Sequence, residues 1–148
     1  MTDTNARVER ELGLLLRRAH SSATAVAARV HPDLDAAAYP LLVRIARTPG
    51  VRSSELADHV GVGRATISRQ VRRLEGFGLL SRRPDPHDSR GQLLELTAEG
   101  TRRLTEAQDA RRAWLRSALS SWSDDEVDGL ATSLERLNAT LDQVTRRP

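Results

Sequence analysis

The stretch that decides the fold runs from Ser53 to Leu74 and reads SSELADHV, then GVG, then RATISRQVRRL. Its first part predicts a short helix with one apolar face, which the hydroxyl of Ser53 can cap. Gly61 and Gly63 permit a tight turn at positive φ, where that helix ends. The last part predicts a second helix whose apolar residues recur on one face. These residues are Ile67, Val71 and Leu74. Two short helices joined in this way form a helix-turn-helix motif.

The apolar face of the second helix determines which of its side chains point outward. The outward residues are Ala65, Thr66, Ser68, Arg69, Arg72 and Arg73. Such a helix can read DNA bases, because Arg bonds bidentately to guanine and the smaller Thr and Ser also reach base edges. Arg69 and Arg72 are best placed for base or phosphate contact, whereas Arg73 lies at the edge of the face and can contact phosphate or an acid. The alternative for each Arg is a solvated or ion-paired surface role.

Positive charge is concentrated around this motif, although the whole chain is nearly balanced. The 148 residues have a formal net charge of +3, and all 23 basic residues are Arg. Residues 64–90 contain seven Arg and three acidic residues, whereas residues 97–148 contain eight Arg and nine acidic residues. A local excess of this kind is typical of a surface that contacts nucleic acid.

The composition argues against several other classes of protein. The chain has no Cys, which excludes disulfides, thiolate metal sites and cysteine redox chemistry. Its four His residues are scattered without metal-ligand spacing, so no metal or cofactor is expected. No Ser lies in a strand-turn-helix elbow and no dinucleotide loop is present, so the chain is not expected to be an enzyme. No stretch approaches the roughly 20 apolar residues of a membrane span, and a soluble cytoplasmic protein is expected.

Long amphipathic helices are predicted on both sides of the motif. The first runs from about Asp3 to Val30 and ends at His31-Pro32. The next begins after Asp35, and Pro40 predicts a kink or a late start in it. Thr97 can cap a helix that reaches about Leu119. A capping box formed by Ser123 and Glu126 then opens a last helix. Its apolar seam comprises Val127, Leu130, Leu134, Leu137, Leu141 and Val144. Each of these residues can pack within the chain or contact a second subunit. Together, however, the terminal helices offer more apolar surface than the small central domain needs. This excess favours a helical interface shared between two subunits.

Two strands follow the second helix of the motif. Residues 79–83 and 92–96 predict a β-hairpin, and the intervening residues 84–91 are rich in turn formers and predict a long tip. A hairpin in this position is a wing. Arg82 and Arg83 on its first strand are expected to contact phosphate, although one of them can instead face solvent.

With the wing in place, the sequence resembles the MarR family of bacterial winged helix-turn-helix transcription regulators. The resemblance covers nearly the whole chain. Its most specific parts are Leu56–Val62, Thr66–Arg69, Arg72–Glu75, Gly78–Leu80, Asp88 and Arg90 of the wing, Leu96-Thr97 and Glu99-Gly100. It implies a mainly α fold with a small β-wing, in which residues 35–96 form the winged DNA-binding part. It implies that residues 3–30 and 97–146 form a helical dimerisation part. A homodimer would then bind a pseudo-palindromic DNA operator as a repressor that a small molecule often releases.

The resemblance also implies roles for particular residues. Arg90 would enter the minor groove, where a narrow A·T-rich segment attracts a guanidinium, and Asp88 would hold Arg90 by an ion pair. The alternative is an ordinary hairpin with a surface ion pair. Family effector pockets lie between the helical and winged parts, which makes a small set of residues conceivable contacts, each of which can equally be core or surface. They are His20, Tyr39, Arg44 and Trp114. An effector-independent architectural or accessory DNA-binding protein remains the alternative function.

Overall fold

The structure is a computed structural model. It describes the backbone of residues 2–145, and the side chains of that range except those of Thr2, Ser89, Arg90, Val144 and Thr145. The predicted segment 97–146 therefore ends at a residue outside this range, and the Val144 side chain of the predicted seam is also outside it. The chain divides into two compact units, residues 1–110 and 111–148. Each unit is described by itself.

The predicted helix-turn-helix is confirmed. Helix α3 spans Ser53–Val60 and helix α4 spans Arg64–Gly76. Gly61 ends α3 with φ of 71°, and its N–H donates to the carbonyl of Ala57 at 2.9 Å. Gly61 therefore supplies the positive φ that the turn requires.

Two predicted details of the motif are wrong. Gly63 has φ of −62° and immediately precedes α4, so it does not contribute a left-handed residue to the turn. Ser53 is already inside α3, and the residue at the cap position is Arg52. The N–H of Arg52 donates to Glu55 Oε2 at 2.9 Å, and this carboxylate takes the place of the expected hydroxyl cap.

The helices that precede the motif follow the predicted boundaries closely. Helix α1 spans Thr2–Val30. A short 3-10 turn, Ala36–Ala38, follows and is capped by the side chain of Asp35. Helix α2 spans Tyr39–Arg47, with Pro40 in its first turn. The late start expected from Pro40 is confirmed, because a proline at the beginning of a helix has no hydrogen bond to lose.

The wing is confirmed, but its predicted long tip is wrong. Strand β1 spans Val51–Arg52, β2 spans Leu80–Asp85 and β3 spans Asp88–Leu96, in an antiparallel sheet of order β1-β3-β2. Only Pro86 and His87 separate the two long strands. Pro84 is tolerated within β2 because β2 is an edge strand, where one row of backbone donors needs no partner.

The core of residues 1–110 lies between the helices and the sheet. Leu41, Leu42 and Ile45 of α2 are fully buried, as is Leu56 of α3. From α4 the predicted residues Ile67, Val71 and Leu74 join them. Leu94 of β3 and Leu104 of α5 complete the contact with this core. The apolar face of α4 is thus committed to the interior, and its opposite face is left at the surface.

Helix α5 spans Ala98–Ala118 and α6 spans Asp124–Thr145. Both predicted caps are confirmed: Thr97 Oγ1 accepts from the N–H of Gly100 at 2.9 Å, and Ser123 and Glu126 form the reciprocal bonds of a capping box. Within α6, Val127, Leu130 and Leu137 are half-buried. None of the helices in the described range is long and apolar enough to cross a membrane.

Candidate nucleic-acid interface

The outward face of α4 carries most of the residues that the sequence placed there. Ala65, Thr66, Arg69 and Arg72 are exposed, and Ser68 is half-buried. No carboxylate among the described residues forms an ion pair with Arg69 or Arg72. Two guanidinium groups on an exposed helix face, without acidic partners among the described residues, are available to a negatively charged ligand.

Arg73 lies on the same helix but is engaged elsewhere. Its Nη2 donates to the backbone carbonyl of Asp33 at 2.8 Å, in the segment between α1 and α2. Its guanidinium carbon lies 5.6 Å from the ring centre of Phe77. These contacts direct Arg73 toward the end of α1, away from Arg69 and Arg72.

The two Arg residues of strand β2 each have a carboxylate partner. Arg82 Nε lies 2.8 Å from Glu75 Oε1, which joins the wing to the end of α4. Arg83 Nε lies 2.5 Å from Glu95 Oε1 across the hairpin. Their contact with DNA phosphate stays a prediction. It requires each guanidinium to contact phosphate while it remains paired with its carboxylate, or to break that ion pair.

The wing tip contains the two residues that the family resemblance singled out. Asp88 is exposed and is the first residue of β3, where its backbone lies opposite that of Asp85 in the strand register. Arg90 belongs to β3, but its side chain lies outside the described part of the structure. The expected ion pair between Asp88 and Arg90 therefore stays a prediction.

Sequence reasoning missed a contact between the wing and the helix-turn-helix. Arg52 donates from Nε to Asp85 Oδ2 at 2.8 Å and also from Nη2 to the same oxygen. Asp85 is only 5% exposed. The His87 N–H, which donates to Asp85 Oδ1 at 2.9 Å, and the Arg52 guanidinium together hold the pKa of this carboxyl below its usual range. No periodic pattern signals this contact, because 33 residues separate its partners.

The four conceivable effector contacts lie in different parts of the chain. His20 is exposed on α1, and Tyr39 and Arg44 are half-buried on α2. Nε of Arg44 is buried without a hydrogen-bond partner among the described residues. Trp114 is 61% exposed and belongs to the unit of residues 111–148. A groove of about 330 Å³ lies elsewhere, along α2, β3 and α5, and none of these four residues lines it. The structure therefore does not bring the four residues together at that groove.

The comparisons with known proteins all identify transcription regulators. The model of the MarR family matches residues 34–91. The HTH-type transcriptional regulator YxaD of Bacillus subtilis is 31% identical over 72% of this chain and 74% of its own length. The transcriptional regulator HosA of Escherichia coli O111:H- is 36% identical over 51% of this chain. This match spans 56% of HosA. The B. subtilis regulator YdgJ is 26% identical over 70% of this chain, and the match spans 63% of YdgJ.

Solved structures share the fold. A crystal structure of MarR is 26% identical, with a TM-score of 0.73, over 93% of this chain and 92% of that one. Streptococcus pneumoniae FabT, crystallised in complex with DNA, is 17% identical with a TM-score of 0.81, over 95% of this chain and 99% of that one. The mainly helical fold with a small three-stranded sheet is therefore that of these winged helix-turn-helix proteins.

Proposed function

The chain belongs to the MarR family of transcription regulators, and on this premise we propose that it is a homodimeric repressor that binds a pseudo-palindromic DNA operator. Arg69 and Arg72 carry this proposal. They extend from the exposed face of α4, opposite the buried Ile67 and Val71, and no described carboxylate neutralises them. A helix that presents free guanidinium groups in this way fits the width and the negative potential of a DNA major groove. FabT, whose fold this chain shares, was crystallised with DNA.

The wing supplies a second contact in this proposal. Arg90 lies two residues after the first residue of β3, next to the turn that ends the hairpin. A guanidinium at a hairpin tip can enter a minor groove while a helix occupies the adjacent major groove. Arg82 and Arg83 would contact the phosphates between these two points.

The homodimer is supported by apolar side chains that the single chain leaves in water. Val8, Leu15 and Leu16 of α1 are each more than half exposed. Among the described side chains of residues 111–143, the large apolar ones that are exposed are Trp114, Leu115, Trp122, Leu134 and Leu141. Exposed apolar surface of this extent marks an interaction site. A second copy of the chain offers the same helices and would give the two-fold symmetry that a pseudo-palindromic operator requires.

Release by a small-molecule effector completes the proposed mechanism, with the protein acting in the cytoplasm. A ligand that prefers the DNA-free form must weaken DNA binding, because the coupling between two ligands is reciprocal. Screening phenolic and other anionic compounds by thermal shift, with and without DNA, tests this part. A compound that stabilises the free protein and lowers its DNA affinity supports a regulated repressor. If no compound does so, the effector-independent alternative is favoured.

Selection from a random pool of 30-base-pair duplexes tests the central proposal. The full chain should enrich duplexes that contain an inverted repeat, and gel-shift titration should show one dimer bound to each duplex. Light scattering at micromolar concentration should give a dimer in the absence of DNA. A monomer in solution, or a pool without an inverted repeat after several rounds, would contradict the proposal.

A further inference from the structure

The tip of the wing has little support from the sheet. Strand β1 contributes only two pairs to β3, Val51 with Leu94 and Arg52 with Leu93. Beyond Leu93 the hairpin has two strands only, and it includes the tip where Asp88 and Arg90 lie. An isolated two-stranded hairpin is marginally stable in water and free to twist. Something other than backbone pairing must therefore orient the tip.

The carboxylate of Asp85 provides a connection in the required place. One of its oxygens accepts the N–H of His87 at 2.9 Å and closes the tip turn, while the other accepts two hydrogen bonds from Arg52. Arg52 is itself fixed, because its N–H is bonded to Glu55 at the beginning of α3. One side chain thus joins the wing turn to the first helix of the helix-turn-helix.

The surrounding backbone is shaped for this contact. The register between β2 and β3 shifts between Pro84 and Asp85, and the side chain of Asp85 is buried whereas that of Pro84 is exposed. An irregularity of this kind can redirect a side chain. Gly91 leaves the space that the carboxylate occupies, since a Cβ at this position would lie 3.1 Å from Asp85 Cβ and 3.3 Å from Asp85 Oδ2.

We propose that Arg52 and Asp85 are positioning residues, which hold the wing tip at a fixed place relative to the helix-turn-helix so that Arg90 and α4 engage one DNA duplex together. This inference rests on the proposed DNA-binding function. Arg52 and Asp85 contact each other and not the DNA. The contact preorganises the wing tip in the free protein, so DNA binding costs less conformational entropy.

Asp85→Asn separates this role from a simple charge effect. The substitution keeps the size of the side chain and an acceptor for His87, but it removes the charge that pairs with Arg52. Loss of a negative charge by itself strengthens attraction to DNA. A decrease in affinity would therefore indicate a misplaced wing. Glu106→Gln is the charge-matched control, since Glu106 lies on α5 and pairs there with Arg102.

The experiment uses the full chain and the duplex that the wild-type chain enriches from the random pool. Asp85→Asn should weaken binding by about 3- to 10-fold, less than Arg90→Ala, and Glu106→Gln should not weaken it. In the Arg90→Ala background, Asp85→Asn should cause no further loss of affinity, because the loss that it causes acts through Arg90. Amide exchange of residues 85–91 should be faster in DNA-free Asp85→Asn than in the wild type.

A second variant guards against a folding defect. Arg52→Lys retains the charge but has no planar pair of donors to replace Nε and Nη2 of Arg52, so it should also weaken binding, while a direct phosphate contact would tolerate Lys. Unchanged affinity of Asp85→Asn, or losses that add fully to that of Arg90→Ala, would overturn the inference while wild-type binding is intact. If the wild-type chain enriches no duplex, the proposed function fails, and the inference fails with it.

Discussion

The imidazole of His31 stacks on the phenyl ring of Phe77, with ring centres 3.9 Å apart and planes inclined by 18°. His31 directly follows α1, and Phe77 directly follows α4. The N–H of Asp33 donates to His31 Nδ1 at 3.2 Å, and Arg73 bonds to the carbonyl of Asp33. The end of α1 is therefore linked to the end of α4 through aromatic and polar contacts.

Replacing Phe77 by Ala should destabilise the protein by about 1–3 kcal/mol, because it removes a half-buried ring and its stack. Urea unfolding at a fixed protein concentration measures this change. His31→Ala should cost less, and the double variant should be less destabilised than the sum of the two, with a coupling of about 0.5–1.5 kcal/mol. Strict additivity would mean that the two rings contribute independently.

Gly100→Ala should be among the most damaging single substitutions in the chain. A Cβ at this position would lie 2.1 Å from the carbonyl oxygen of Leu79, which is backbone and cannot rotate away. Overpacking typically costs about 1–3 kcal/mol and occasionally more, and a clash with backbone lies at the upper end of this range. Thermal unfolding should show a large decrease in Tm or loss of the folded protein.

Gly76→Ala is the matched control for that prediction. Gly76 is the last residue of α4, and a Cβ there would meet no described atom within 4 Å other than its chain neighbours and the backbone of its own helix. This substitution should be neutral or stabilising by up to about 1 kcal/mol, since Ala favours helix. Similar Tm values for the two variants would show that α5 does not approach Leu79 as closely as the structure indicates.

Much of the helix-turn-helix could be predicted from the sequence because its determinants are local. The spacing of Ile67, Val71 and Leu74 alone determines which face of α4 is buried, and the exposure of Arg69 and Arg72 follows from it. Gly61 was recognisable because a turn at positive φ needs a glycine. The two strands of the wing could also be predicted from the residue pattern, and the family resemblance added the expected operator and the roles of Asp88 and Arg90.

The wing tip could not be predicted in the same way. Residues 84–91 are rich in turn formers, yet all but Pro86 and His87 are in strands, because β2 is an edge strand and Asp85 closes the turn. The pairing of Asp85 with Arg52 depends on a register shift and on the space above Gly91. Both arise from the three-dimensional arrangement and leave no periodic pattern in the sequence.

Acid should weaken the ion pairs that Glu99 forms in the first turns of α5. Hydrogen bonds from Arg102, the larger cause, and from Arg103 lower the pKa of Glu99 from its ordinary value of 4.5 to about 2. Because the folded-state pKa is the lower one, the stabilisation is complete above about pH 4.5 and is lost as the pH falls toward 2. Arg103 also donates to the carbonyl of Val30 at the end of α1.

Glu99→Gln isolates this contribution. The variant should be less stable than the wild type at pH 7, and the difference should shrink as the pH falls from about 4.5 to 2. Urea titrations at several pH values provide the comparison. A difference that stays constant over this range would show that Glu99 does not titrate as its contacts require.

Arg69 and Arg72 should differ from the ion-paired Arg residues of the chain in their effect on DNA binding. Arg69→Ala and Arg72→Ala should each cost about 1–3 kcal/mol toward the enriched duplex while the dimer persists, because each removes a base or phosphate contact. Arg102→Ala is the matched control, since Arg102 is equally an exposed helical Arg but is held by Glu99 and Glu106. Gel shifts at several salt concentrations distinguish the two kinds of contact. Loss of a phosphate contact lowers the salt dependence of binding, whereas loss of a base contact alters the preferred sequence. Equal affinities for Arg69→Ala, Arg72→Ala and Arg102→Ala at matched salt would remove α4 from the DNA-binding surface.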